Sequence, residues 1–183
     1  MSFLSSYMQD LRSALDGLDL EQVESAIAMI DVARQAGQQV FLCGNGGSAS
    51  TASHMANDLG KGASLGSDKP FKVIALTDNI SWITALANDI SYEAIFAEQL
   101  RNFAQPGDVL IAISGSGNST NVLNAVEVAR ERGVKTMGWT GFGGGKLASM
   151  VDLSIVVDSH HMGRVEDVHV ILMHLVCYRF MEA

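Results

Sequence analysis

The sequence predicts an α/β fold of the doubly wound kind, a five-stranded parallel sheet covered on both faces, and three observations carry that prediction. After Gly37, short apolar runs alternate with longer helical patterns, the order that crossover connections between parallel strands require. The apolar runs lead into loops of glycine and serine. The 183 residues hold 18 glycines but only 2 prolines, which points to glycine-built loops between regular elements.

Two helical stretches open the chain, at 3–18 and 20–36; in the second, Val23, Ile27, Ile30 and Val32 form an approximate helical stripe. They are expected to serve packing or oligomerisation. Five buried strands follow at 40–43, 73–76, 109–113, 136–139 and 154–157. Between them lie helical patterns at 48–59, 80–88 with 92–103, 119–132, and a short turn near 146–150, and a last helix at 165–180 closes the chain. No repeat, low-complexity tract or long linker divides it. The expectation is one domain over 1–183, with 1–36 as added N-terminal helices and 37–183 as the α/β core and terminal helix.

Bulk properties narrow the function. A composition 48% hydrophobic and 17% charged is that of a globular protein. No apolar run nears the roughly 20 residues that span a bilayer, and residues 1–20 lack the pattern of a signal peptide, so a cytoplasmic protein without membrane association is expected. Cys43 and Cys177 have apolar neighbours and no CxxC spacing, which predicts buried free thiols. A net charge of −8 argues against general nucleic-acid binding. An anionic ligand has to be held by local groups.

Two loops offer such groups. Gly44-Asn45-Gly46-Gly47-Ser48 sits where a strand should hand over to a helix, and glycines there let the backbone approach a ligand beside the helix N-terminus. The alternative is a tight turn with Ser48 as N-cap. Ser114-Gly115-Ser116-Gly117-Asn118-Ser119 repeats the arrangement after another strand, with hydroxyls and an amide but no positive charge. That suits a phosphate held by backbone and hydroxyl donors. Two such loops at the carboxyl ends of neighbouring strands favour binding over mere turns.

The segments 43–48 and 113–119, with the Asn88-Asp89 pair between them, resemble the sugar isomerase domain proteins in order and spacing, most of all the phosphoheptose isomerases, over nearly the whole chain. The resemblance implies a flavodoxin-like five-stranded sheet and a homotetramer with sites at subunit interfaces. It also implies conversion of sedoheptulose 7-phosphate to D-glycero-D-manno-heptose 7-phosphate. By the same resemblance Asn45, Gly46, Gly47, Ser48, Asn88, Asp89, Ser114, Gly115, Ser116, Ser119 and Glu166 line the substrate site.

Aldose-ketose isomerisation moves a proton between adjacent carbons through an enediol, which needs a base on carbon and a group that polarises oxygen. His54 and Asp58, four residues apart, lie one turn apart on one helix face, a spacing that suits two metal ligands or a local hydrogen bond. His174 falls in an apolar stretch of the last helix and is expected to be largely buried. The resemblance makes Asp58 and His174 the acid/base pair, and His54, Asp58, Glu166 and His174 the ligands of one Zn2+ per subunit. The family usually has glutamate at the position of Asp58 and glutamine at that of Glu166. The shorter Asp58 falls about 1 Å short of the longer arm's reach. Glu166 adds a negative charge that favours a neighbouring cation. Glu166 and His174 lie eight residues apart, about 12 Å along a helix and roughly 80° around it. They meet at one ion only if Glu166 starts the helix or separate subunits contribute them. Lys61, near the place of a family basic residue but out of register, is left unassigned. Two other functions fit the fold: a non-catalytic adaptor for a replication initiator protein, or a sensor of sugar phosphates. Retention of His54, Asp58 and His174 favours the enzyme, whether for the heptose or another sugar phosphate.

Overall fold

The structure, a computed structural model, describes residues 2–182; Met1 and Ala183, the ends of the expected domain, lie outside them. Five strands pair in parallel in the order β2-β1-β3-β4-β5: β1 (Gln39–Gly44), β2 (Lys72–Ala75), β3 (Val109–Ile113), β4 (Lys135–Thr140) and β5 (Leu153–Val156). The chain leaves β1 to build β2 on one side and returns to build β3 on the other. The crevice at the carboxyl ends of β1 and β3 is therefore the topological switch point, where such sheets bind ligands.

Alternating side chains divide the core. Val40, Leu42, Ile111, Met137 and Trp139 pack with α1 (Phe3–Asp16), α2 (Leu20–Gln35), α3 (Gly47–Asn57) and α8 (Met162–Met181). Phe41, Cys43, Leu110 and Ala112 face α5 (Ala97–Phe103), α6 (Thr120–Glu131) and α7 (Leu147–Met150), with α4 (Ile80–Asp89) at the margin. Burying a side chain such as Phe41 contributes about 1.5–3 kcal/mol. Cys43 and Cys177 are buried free thiols as expected, and burial pushes both up to about 12, so neither is a ready nucleophile.

Several local expectations change. β2 and β5 are the sheet edges and are only partly buried, because an apolar run does not reveal its place in the sheet. In α2 the buried stripe runs Val23, Ala26, Ile30 and Ala33, and Val32 is exposed. The stretch 92–103 is a 3-10 turn, Tyr92–Ala94, followed by α5. α3 is continued by a π-helical turn, Asp58–Gly62, closed by the Ala63 N–H donating to the Asp58 carbonyl. Its N-cap is Gly46 at φ 55°, a left-handed backbone that favours glycine, whereas Ser48 lies inside the helix, buried. α8 starts three residues early because His161 caps it, its Nδ1 accepting from the Arg164 N–H.

Candidate active site

The first loop leaves β1 and turns into α3 so tightly that a Cβ on Gly44 would lie 2.8 Å from the Ser48 Cβ. Gly46 and Gly47 are exposed at the turn. The second loop leaves β3 and enters α6. Gly117, at φ 65°, lies against the Gly144 carbonyl with no room for a Cβ, and the Leu147 N–H donates to the Gly117 carbonyl at 2.9 Å. The Asn118 amide donates to the Ser116 carbonyl at 2.8 Å and accepts from the Lys146 N–H at 3.2 Å. The loop is thus held by the segment after β4. Ser114 Oγ donates to Ser119 Oγ at 3.1 Å, leaving the Ser119 hydroxyl proton free to donate outward.

α3 and α8 pack together and bring His54, Asp58 and His174 to one place. Their candidate ligand atoms all lie within 4.8 Å of one another. His54 Nε2 is 3.5 Å from Asp58 Oδ2, and the His54 and His174 rings meet edge-on with centroids 5.1 Å apart. Asn57 donates to Asp58 Oδ1 at 3.0 Å, which leaves Oδ2 turned to the histidines. His54 is exposed, while Asp58 and His174 are half-buried. His174 is therefore more open than its sequence neighbours suggested, since Leu172, Met173 and Val176 face the core and the ring does not. Two imidazoles and a carboxylate with open access form a donor set suited to a divalent cation. The π-helical turn begins at Asp58, the kind of distortion found at functional sites.

Glu166 lies outside this cluster. It sits in the second turn of α8, and its carboxylate lies against Gly47, where an added Cβ would be 2.7 Å from it. The partial positive charge of the α3 N-terminus offsets its charge there. Glu166 nonetheless shares with His54 a cavity of about 310 Å³, lined also by Gly47, Ser50, Thr51 and Asp167. Asn88 and Asp89 are exposed at the end of α4, the Asn88 amide donating to Asp89 Oδ1 at 2.8 Å. Gly115 and Ser116 border the second loop's crevice, Gly115 so close to Met162 that a Cβ would lie 2.5 Å from its sulfur.

Sequence reasoning missed the groups around these residues. Tyr92 and Asn121 both bond the Asn45 amide, and their nearness to the Asn88-Asp89 pair and to Ser119 was the available signal. Ser53 bonds Asp78 and Thr77 at the end of β2. The Tyr7 hydroxyl donates to Asp167 Oδ2 at 2.7 Å, a bond that raises the pKa of the phenol. His169, which no ligand role claims, is buried on α8 with Nε2 3.3 Å from the Thr140 carbonyl, and burial lowers its pKa to about 4.

Residues 5–141 match the SIS domain family. A phosphoheptose isomerase from Rhodospirillum rubrum is 44% identical over 85% of this chain and 82% of its own length. Among solved structures, a phosphoheptose isomerase from Neisseria gonorrhoeae superposes with a TM-score of 0.89 at 31% identity, over 98% of this chain and 95% of that one. One from Francisella tularensis gives 0.91 at 28% identity, over 99% and 95%. The shared five-stranded parallel sheet and the extent of these matches place the chain plainly: it belongs to the SIS domain family and, within it, to the phosphoheptose isomerase family.

Proposed function

We propose that this protein is an aldose-ketose isomerase that interconverts sedoheptulose 7-phosphate and D-glycero-D-manno-heptose 7-phosphate through an enediol. The observation that carries the reading is the convergence of His54, Asp58 and His174, with His54 sharing a cavity with Gly47 of the first loop. Ser116 and Ser119 receive the phosphate through hydroxyl donors at the start of α6, with Gly115 beside them, and Ser114, whose N–H and hydroxyl donate to Trp139 and Ser119, orients the Ser119 hydroxyl. Asn45, Gly46, Gly47, Ser48, Asn88, Asp89 and Glu166 line the remainder of the sugar site. Asp58 and His174 exchange the protons. One takes a proton from the carbon beside the carbonyl while the other delivers one to the carbonyl oxygen; reversal on the neighbouring carbon completes the isomerisation.

His54, Asp58 and His174 would hold one Zn2+ per subunit; Glu166, about 12 Å from His174 along the unbroken α8, would join such a set only from a neighbouring subunit. When bound, such an ion polarises the substrate carbonyl and steadies the developing oxyanion. The rest of the work falls to the protein: the loops orient the chain, and α8 carries His174 to the reacting carbons.

The active unit in this reading is a single domain that forms a cytoplasmic homotetramer. Phe3, Leu4, Met8 and Leu20 are exposed on α1 and α2, and His174 lines an apolar groove of about 620 Å³ between α2 and α8. A second subunit seated there would close the site. Among the described residues no helix is long and apolar enough to cross a membrane. The test is an isomerisation assay on sedoheptulose 7-phosphate, with metal analysis of protein purified without chelator and light scattering for the subunit number. Wild-type protein that neither isomerises the sugar nor retains metal would end the proposal.

A further inference from the structure

A side-chain amide has four hydrogen-bonding positions, two lone pairs on oxygen and two protons on nitrogen. For Asn45 three of the four are occupied. Its Oδ1 accepts from the Tyr92 hydroxyl at 2.9 Å and from Asn121 Nδ2 at 2.8 Å. Its Nδ2 donates one proton to Asn121 Oδ1 at 2.9 Å. Asn121 is 3% exposed, and its Oδ1 also accepts from the Val122 N–H at 3.0 Å, so it is fixed by the backbone of α6. Reversing the Asn45 amide would set oxygen against oxygen and nitrogen against the Asn121 donor. The clasp therefore admits one orientation.

We propose that Asn121 and Tyr92 are positioning residues that lock Asn45 into a donor of one proton, so that at this point the site accepts only a substrate oxygen with a free lone pair. This rests on the isomerase reading of the same site and adds to it a specificity rule. Asn45 lies in the loop after β1, Asn121 is the second residue of α6, and Tyr92 follows α4. The clasp thus ties together the segments that flank the crevice and sets its width. The acceptor is the carbonyl oxygen or a phosphoryl oxygen of the sugar phosphate. A donor to the carbonyl strengthens as negative charge develops on it and acts on kcat; a donor to the phosphate acts on KM.

The experiment compares wild type with Tyr92→Phe and Asn121→Ala by steady-state isomerisation of sedoheptulose 7-phosphate and by 15N–1H spectra of the side-chain amides. Resonances of Asn45 are identified by their loss in Asn45→Asp. In wild type the two Asn45 amide protons should exchange with solvent at rates at least tenfold apart, one protected and one free. Tyr92 is half exposed, so Tyr92→Phe should leave the melting temperature unchanged and still lower kcat/KM by about five- to tenfold. Asn121→Ala should lower it further and remove the protection. A fall in kcat assigns the donor to the carbonyl, a rise in KM to the phosphate. Variants within twofold of wild type in both constants, or Asn45 protons that exchange equally in wild type, overturn the proposal. If wild type does not isomerise the sugar, the isomerase reading fails by itself and the exchange rates still decide the clasp.

Discussion

Gly47→Ala would put a methyl group where the Glu166 carboxylate lies, 2.7 Å from Cδ and both oxygens. Ordinary contact begins near 3.4 Å, so the carboxylate has to retreat by about 0.7 Å or rotate away. Gly47 opens α3 without the left-handed backbone of Gly46, and alanine there stabilises by about 0.4–1 kcal/mol. Driving Glu166 off its rotamer costs about 0.5–1.5 kcal/mol. The two nearly cancel, and the net change in stability should stay within about 1 kcal/mol. In a Glu166→Ala background the methyl meets no carboxylate, and only the gain remains. Urea denaturation of the four proteins in this double-mutant cycle should give a coupling of about 1 kcal/mol. Isomerisation by Gly47→Ala should fall about ten- to a hundredfold, since displacements near 1 Å cost that much in a positioned site. An identical stability change in both backgrounds would refute the contact, and unchanged activity would refute the place of Gly47 and Glu166 in the site.

Other perturbations have equally definite outcomes. His174→Gln and Asp58→Asn should each abolish isomerisation and lower bound zinc, with circular dichroism unchanged because both side chains are only half-buried. Ser116→Ala with Ser119→Ala removes two hydroxyls from the second loop and should weaken substrate affinity tenfold or more, read from KM. Asp58→Glu raises activity if the pocket keeps the geometry of the longer arm, and lowers it if the π-helical turn has been built around aspartate. His169 supplies a pH test. Its folded pKa, lowered to about 4 by burial, lies below the unfolded value near 6.5, so the unfolded chain binds the proton first. Its contribution is constant above about pH 6.5 and is lost as pH falls toward 4, by up to about 3 kcal/mol. Urea denaturation at pH 7 and 5 should show the loss, and His169→Gln should flatten it.

The strand centres were legible because a buried parallel strand is a short apolar run, and β3 falls on the expected 109–113. Edge position was not, since exposure of β2 and β5 depends on which strand ends the sheet, a property of topology and not of the run itself. His54, Asp58 and His174 were named from spacing and resemblance, and the packing of α3 on α8 brings them together. Glu166 was read as favouring a neighbouring cation because a sequence shows its charge without the α3 N-terminus that faces it. The π-helical turn left no pattern, because one changed hydrogen bond does not alter the apolar spacing around Leu59. The bonds from Tyr92 and Asn121 to Asn45 join segments far apart in the chain and become visible only when β1 and β3 pair.

The packing of α8 on α3 also sets a timetable. His174 is about 120 residues downstream of His54, and ribosomes add about 5–20 residues per second, so roughly 6–24 s pass between the two histidines during synthesis. Throughout that interval β1 can pair with β2 and then β3, but the nascent chain has no complete ligand cluster. The cluster of His54, Asp58 and His174 is complete only after the last helix has docked on α3.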